Sequence, residues 1–143
     1  MSELVNVIVF ALGGVRMATE LRYVREVATL GFVTKVPMAP AGIAGVCNLH
    51  GAIVPVLDLT ALTGGARGSA ARQGDGALLI ELDGAIAALR VDQVDEVATL
   101  SLAGTSVIDR RGQRLPLVDP RALLQAARDA VAATAPPAPE AAR

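Results

Sequence analysis

Apolar and polar residues alternate along most of this chain with the period of a β-strand rather than of a helix. Val5 to Leu12 puts Ile8, Phe10 and Leu12 on one face, and Gly13-Gly14 then signals a hairpin whose return strand is Val15 to Leu21. Ala77 to Leu82, Asp83-Gly84 and Ala85 to Val91 predict the same unit again, Asp-Gly being suited to a tight turn with positive φ at both central residues. Val24 to Leu30 is β-branched and predicts a third short strand. Gly45 to Leu49 and Ile53 to Leu57 predict a further hairpin around His50-Gly51. Pro55 has no N–H and must sit at an edge or a bulge, a feature Pro116 repeats. Lys35 to Gly42, with Pro37 and Pro40, reads as a rigid connection. A helix is expected only at the end, where Asp119-Pro120 supplies an N-cap and a first-turn proline and Leu123, Ala127 and Val131 share a face.

The pattern occurs twice. Val24-Arg25-Glu26-Val27-Ala28-Thr29-Leu30 returns as Val94-Asp95-Glu96-Val97-Ala98-Thr99-Leu100, six of seven identical at an offset of 70, which also superposes Phe10, Leu12 and Gly14 on Ile80, Leu82 and Gly84. At an offset of 61, Gly51, Pro55, Asp58, Ala61 and Leu62 match Gly112, Pro116, Asp119, Ala122 and Leu123. The second copy is therefore nine residues shorter between its two blocks. Each copy alone would bury little apolar area, so the two are expected to pack as one cooperative unit.

Composition narrows the function. Hydrophobic residues make up 52% of the chain, but no stretch reaches the roughly 18 apolar residues of a spanning helix. The start lacks a basic signal-peptide region, so the chain reads as cytoplasmic. A formal charge of −1 and 2% aromatic residues give neither a field nor a stacking platform for nucleic acid. The lone Cys47 precludes an internal disulfide and reads as a small buried hydrophobe. Cys47 and His50 point to opposite faces of a strand, so no metal site is expected of them. Glu26 and Glu96 read as solvated strand-end carboxylates, and Asp58 and Asp119 as helix caps. No convergent set of catalytic groups is present and no cofactor loop is found, so a non-enzymatic binding module is expected.

The run from Val36 to Leu59, V-P-M-A-P-A-G-I-A-G-V-C-N-L-H-G-A-I-V-P-V-L-D-L, resembles the CheW family signature P-x-x-P-x-x-I-x-G-V-x-N-L-R-G-x-I-V-P-V-x-D-L. The opening V-x-F-x-L-G-G and the V-x-E-V at Val24 to Val27 fit in order, and the resemblance covers about residues 5 to 125. It implies an all-β fold of two small five-stranded barrels plus a C-terminal α-helix. It also implies an adaptor that couples the cytoplasmic tips of methyl-accepting chemoreceptors to the regulatory domain of a CheA-type histidine kinase, with no catalytic activity, cofactor, nucleic acid or membrane insertion. The receptor would dock as a helical hairpin in an apolar groove. By carry-over, partner-binding residues are Val24, Glu26 and Val27, with Asn48, His50, Gly51, Pro55 and Asp58 of the hairpin, and Val94 and Val97 of the second copy. The four valines have a second reading, as plain core.

Two departures qualify the carry-over. His50 stands where the family has an arginine, a residue that is always charged, whereas histidine gains charge only as pH falls; a partner carboxylate would therefore be held less firmly. The second copy lacks most of the connection before its last hairpin. The expected domain spans 1–133, with a first barrel at about 5–62, a flexible link at 63–76, a shortened second barrel at about 77–119, a helix at 120–133 and a disordered tail at 134–143. The shortening predicts a missing element in the second barrel, an open edge or one covered by the Pro120 helix, a route to self-association through that edge, and weakened kinase contact. The rival readings are a docking module for another signalling partner, or a small-molecule binder using the groove between barrels.

Overall fold

Alternating apolar residues separated by positive-φ turns should give antiparallel hairpins, and the computed structural model, which describes residues 3–35, 42–59 and 73–125, is built from them. Its strands are β1 (Leu4–Leu12), β2 (Val15–Glu20), β3 (Val24–Thr29), β4 (Val33–Thr34), β5 (Ile43–Leu49), β6 (Ala52–Leu57), β7 (Gly76–Leu82), β8 (Ala85–Val91), β9 (Gln93–Ala103), β10 (Ser106–Ile108) and β11 (Arg114–Val118). Leu21–Tyr23 forms a 3-10 turn, and residues 120–125 open a helix in which Asp119 Oδ1 accepts from the Arg121 N–H at 2.9 Å. The rest of the helix expected to 133, the tail and most of the link at 63–76 lie outside the described residues. The fold is all-β, with two sheets and a short C-terminal helix.

The sheets are not the two halves of the chain. One is a closed barrel in the order β1-β2-β11-β10-β9, and the other has six strands in the order β3-β7-β8-β6-β5-β4. Barrels drawn at 5–62 and 77–119 are thus corrected: each copy lends its first hairpin to the sheet of the other. The pairings reproduce the duplication residue by residue. Ala28, Val27, Glu26 and Val24 face Ala77, Leu78, Leu79 and Ile80, while Ala98, Val97, Glu96 and Val94 face Val7, Ile8, Val9 and Phe10. The parallel pairs Val56↔Ala88 and Leu57↔Leu89 recur as Leu117↔Ala18 and Val118↔Thr19.

This exchange makes the core common to both sheets. Ile8, Phe10 and Leu12 pack with Leu57, Leu78, Ile80, Leu89 and Leu123 between the sheets, while separate clusters fill the barrel (Val7, Val9, Leu100, Val107) and the six-stranded sheet (Leu30, Cys47, Val54, Leu79).

The shortened second copy does not leave an open edge. Residues 93 to 103 run as one strand that pairs with β1 along most of its length and with β10 at its far end. Eleven residues at about 3.3 Å each are long enough for both tasks, so the barrel closes. The edge expected for self-association is absent there. In the first copy the same path is divided between β3 and the two-residue β4, and that sheet stays open between them. β4 lies hard against β5, since a Cβ on Gly45 would come 2.6 Å from the Thr34 carbonyl oxygen.

One ion cluster locks the closed barrel. Arg16 donates from Nε to Asp95 at 3.1 Å and from Nη1 to Asp109 at 3.0 Å. Asp109 Oδ1 also accepts from the N–H groups of Arg111 and Gln113 at 2.9 and 2.7 Å. Burial works to raise the Asp109 carboxyl, but those two N–H groups and the Arg16 guanidinium outweigh it and hold the group below its ordinary range. A depressed carboxylate stabilises the fold above its unfolded-state value, about 3.9, and that contribution disappears as pH falls through the lower folded value. Asp109→Asn is therefore expected to melt below wild type at neutral pH, with the gap shrinking in acid. Melting curves from pH 7 down to pH 2.5 check this.

Candidate partner-binding surface

The two-residue turn His50-Gly51 closes β5 onto β6, with Leu49 opposite Ala52. Both turn residues have positive φ, +52° and +86°, and histidine is among the few side chains that tolerate this. Asn48 Oδ1 accepts from the Gly51 N–H at 3.0 Å, so Asn48 and Gly51 shape the tip rather than project from it. The exposed His50 ring is aimed at β3, where Nε2 lies 2.6 Å from Glu26 Oε1. The carboxylate that an arginine at this position would seek is thus in the same chain. In the second copy the residue before the equivalent position, Arg110, reaches Glu96 at 3.8 Å.

The V-x-E-V motif has a specific geometry. Residues three apart in a regular strand face opposite ways, yet Val24 and Val27 sit opposite Ile80 and Leu78, which share a face of β7. The register shifts between Val24 and Glu26, so Arg25 is the extra residue of a bulge that turns both valines to one side and Glu26 to the other. The same shift occurs at Asp95 between Val94 and Glu96. Val24 and Val94 are half-buried against the core between the sheets, whereas Val27 and Val97 are 53% and 57% exposed on the same faces. The valines therefore divide into a packing pair and a surface pair.

The other residues expected here have more local settings. Pro55 is opposite Val46, just before the parallel pairing of β6 with β8 begins at Val56; β6 is an interior strand, but its proline sits where only one neighbour is paired. The Asp58 N–H donates to the Gly42 carbonyl at 3.0 Å. Cys47 is buried on the inward face, and burial pushes its thiol up. Glu26 and His50 meet, but Val24 and Val27 lie on the other face of β3, and Val94 and Val97 belong to the barrel. Among the described residues no cluster of His, Cys, Asp or Glu could hold a metal ion, and no helix is long and apolar enough to cross a membrane.

Beside the Glu26–His50 tie is a recess of about 330 Å³ in the mouth of the six-stranded sheet, with Leu49, Ala52, Val54, Leu79 and Ile86 along it and Arg25 at its rim. A wider one of about 630 Å³ includes Glu3, Leu4, Glu20 and Leu102, and none of the residues expected to bind partners lines it.

The tie itself is exposed, and such pairs contribute about 0–1 kcal/mol. His50→Arg is accordingly expected to fold normally and to stay within about 1 kcal/mol of wild type, the firmer grip on Glu26 being set against arginine's poorer fit to the positive-φ turn. Denaturant titration of the variant checks this.

Residues 6–106 match the model of the CheW-like domain family. The chain is 28% identical over 96 residues to the chemotaxis protein CheW of Rhizobium meliloti (strain 1021), a match that takes in 67% of this chain and 61% of that relative's length. Its fold is similar to the crystal structure of the scaffolding protein TtCheW from Thermoanaerobacter tengcongensis, with a TM-score of 0.65 at 25% identity, covering 83% of this chain and 90% of that one. With the duplicated strands, the bulged V-x-E-V motifs and the Asn48-to-Asp58 hairpin in place, the chain belongs to the CheW-like domain family.

Proposed function

We propose that this protein is a non-catalytic adaptor of a bacterial chemosensory system, working in the cytoplasm at receptor arrays. It binds the cytoplasmic tip of a methyl-accepting chemoreceptor and the regulatory domain of a CheA-type histidine kinase. The observation that carries this reading is the pair of exposed valines, Val27 and Val97, each held outward by an equivalent bulge beside the core between the sheets. An exposed apolar side chain fixed on a rigid strand is the feature a helical partner can pack against. Glu26 and His50 supply a polar rim on the opposite face of β3. Of the two contacts the kinase one is the weaker in this reading, because the chain lacks most of the connection the family places before its last hairpin. Calorimetric titration of a receptor-tip hairpin and of the kinase regulatory domain against the protein tests it. Receptor binding with weaker kinase binding is expected; failure of both partners to bind would overturn the reading.

A further inference from the structure

The duplication allows the two sheet mouths to be compared position by position. In the closed barrel the site on β2 two residues before the buried Ala18 is Arg16, whose guanidinium joins Asp95 to Asp109. Its counterpart on β8, at the offset of 70, is Ile86. The counterpart of Asp95 is Arg25, which turns aside to Glu81 at 3.5 Å. The barrel thus carries a basic side chain of its own strand at this site, held by two aspartates. The six-stranded sheet has instead the apolar recess along Leu79, Val54 and Ile86, with Glu26 as the carboxylate at its edge.

From this we infer that the recess is a socket for a basic side chain, arginine or lysine, supplied by the docking partner in the place Arg16 fills within the barrel. The aliphatic stem of such a residue lies on Leu79, Val54 and Ile86, and its head meets Glu26. Glu26 is suited to this because His50 engages only Oε1 at 2.6 Å, and a carboxylate can accept at both oxygens. Arg25 also lines the recess and opposes an incoming cation, an effect its pairing with Glu81 at 3.5 Å offsets, which leaves Glu26 as the one acid there to receive the basic head. Histidine at position 50 leaves the carboxylate accessible to a second cation, where an arginine fork would occupy both oxygens.

The inference rests on the adaptor reading for the identity of the partner, but not for the chemistry of the socket. Two measurements separate them. Titration with N-acetyl-argininamide, followed by methyl NMR, is expected to shift Leu79, Val54 and Ile86 in the wild type, with N-acetyl-leucinamide giving no comparable effect. In Glu26→Gln the shifts should fall at least fivefold. Equal responses to the two amides, or no response to argininamide at millimolar concentration, would overturn the socket whatever the protein's partners are. In the second measurement Ile86→Arg places a basic side chain of the chain's own in the recess, and should weaken receptor-tip binding at least tenfold in a variant that still unfolds cooperatively. If Ile86→Arg misfolds, Ile86→Phe, which narrows the recess without a charge, serves instead. Wild-type affinity in a folded, filled variant would overturn the inference while leaving the adaptor reading intact, and a wild type that binds no receptor tip while the amide arm succeeds would do the reverse.

Discussion

Phe10→Ala is expected to destabilise the whole molecule by about 3–5 kcal/mol, the range for removing a large aromatic side chain from a core. Phe10 is completely buried and sits in the cluster that β1 and β2 of one copy form with β7 and β8 of the other. Each sheet contains one of these exchanged hairpins, so a cavity between them weakens both sheets together. Urea unfolding should show one transition at a lower midpoint, with far-UV dichroism and buried-residue NMR signals changing in step. A loss below about 1 kcal/mol, or a second transition for one sheet, would mean that the sheets have independent cores.

Val27→Asp should act in the opposite way, costing binding and sparing the fold. Val27 is 53% exposed, and substitutions at such sites usually change stability by about 0.5 kcal/mol or less. A carboxylate pressed against an apolar helix has no partner there, and the expected loss of receptor binding is about 2 kcal/mol or more. Val24→Asp is the contrasting control. It places the charge against the core between the sheets, so it should lower the melting temperature sharply. Calorimetry and thermal melts on both variants check the division of the motif. A Val27→Asp protein that folds and binds like wild type would remove Val27 from the surface that receptors contact.

The strands and turns were legible because their signals are local. Gly13-Gly14 and Asp83-Gly84 have the positive φ values their residues imply, and the apolar runs on either side pair where period two places them. The duplication was legible as well, but not which copy's hairpin joins which sheet. That choice depends on a core between β1 and β7 whose residues are equally apolar in either arrangement. The path before the last hairpin of the second copy is short, as the nine-residue deficit implies, but no strand pairing is lost to it. A short path suggests a missing element, whereas an uninterrupted β9 does in one strand what β3 and β4 share, and closes the barrel.

The candidate site was only partly legible. Two valines three apart hint at a bulge, since a regular strand would put one of them on the wrong face, and that spacing is the one signal in the sequence. The meeting of Glu26 with His50, twenty-four residues later, follows from the approach of a hairpin tip to an edge strand, for which neither residue carries a local mark. Arg16 was missed for the same reason, its partners being contributed by β9 and by the turn before β11.

Binding of two partners is not yet bridging, and bridging is what an adaptor does. Receptor-tip hairpins displayed on vesicles, mixed with the soluble kinase regulatory domain and sedimented, measure it directly. The kinase domain should pellet only when this protein is added, in proportion to the amount bound to the tips, and Val27→Asp should leave it in the supernatant. Kinase domain that stays in the supernatant while the protein itself pellets with the receptor tips would contradict the adaptor account.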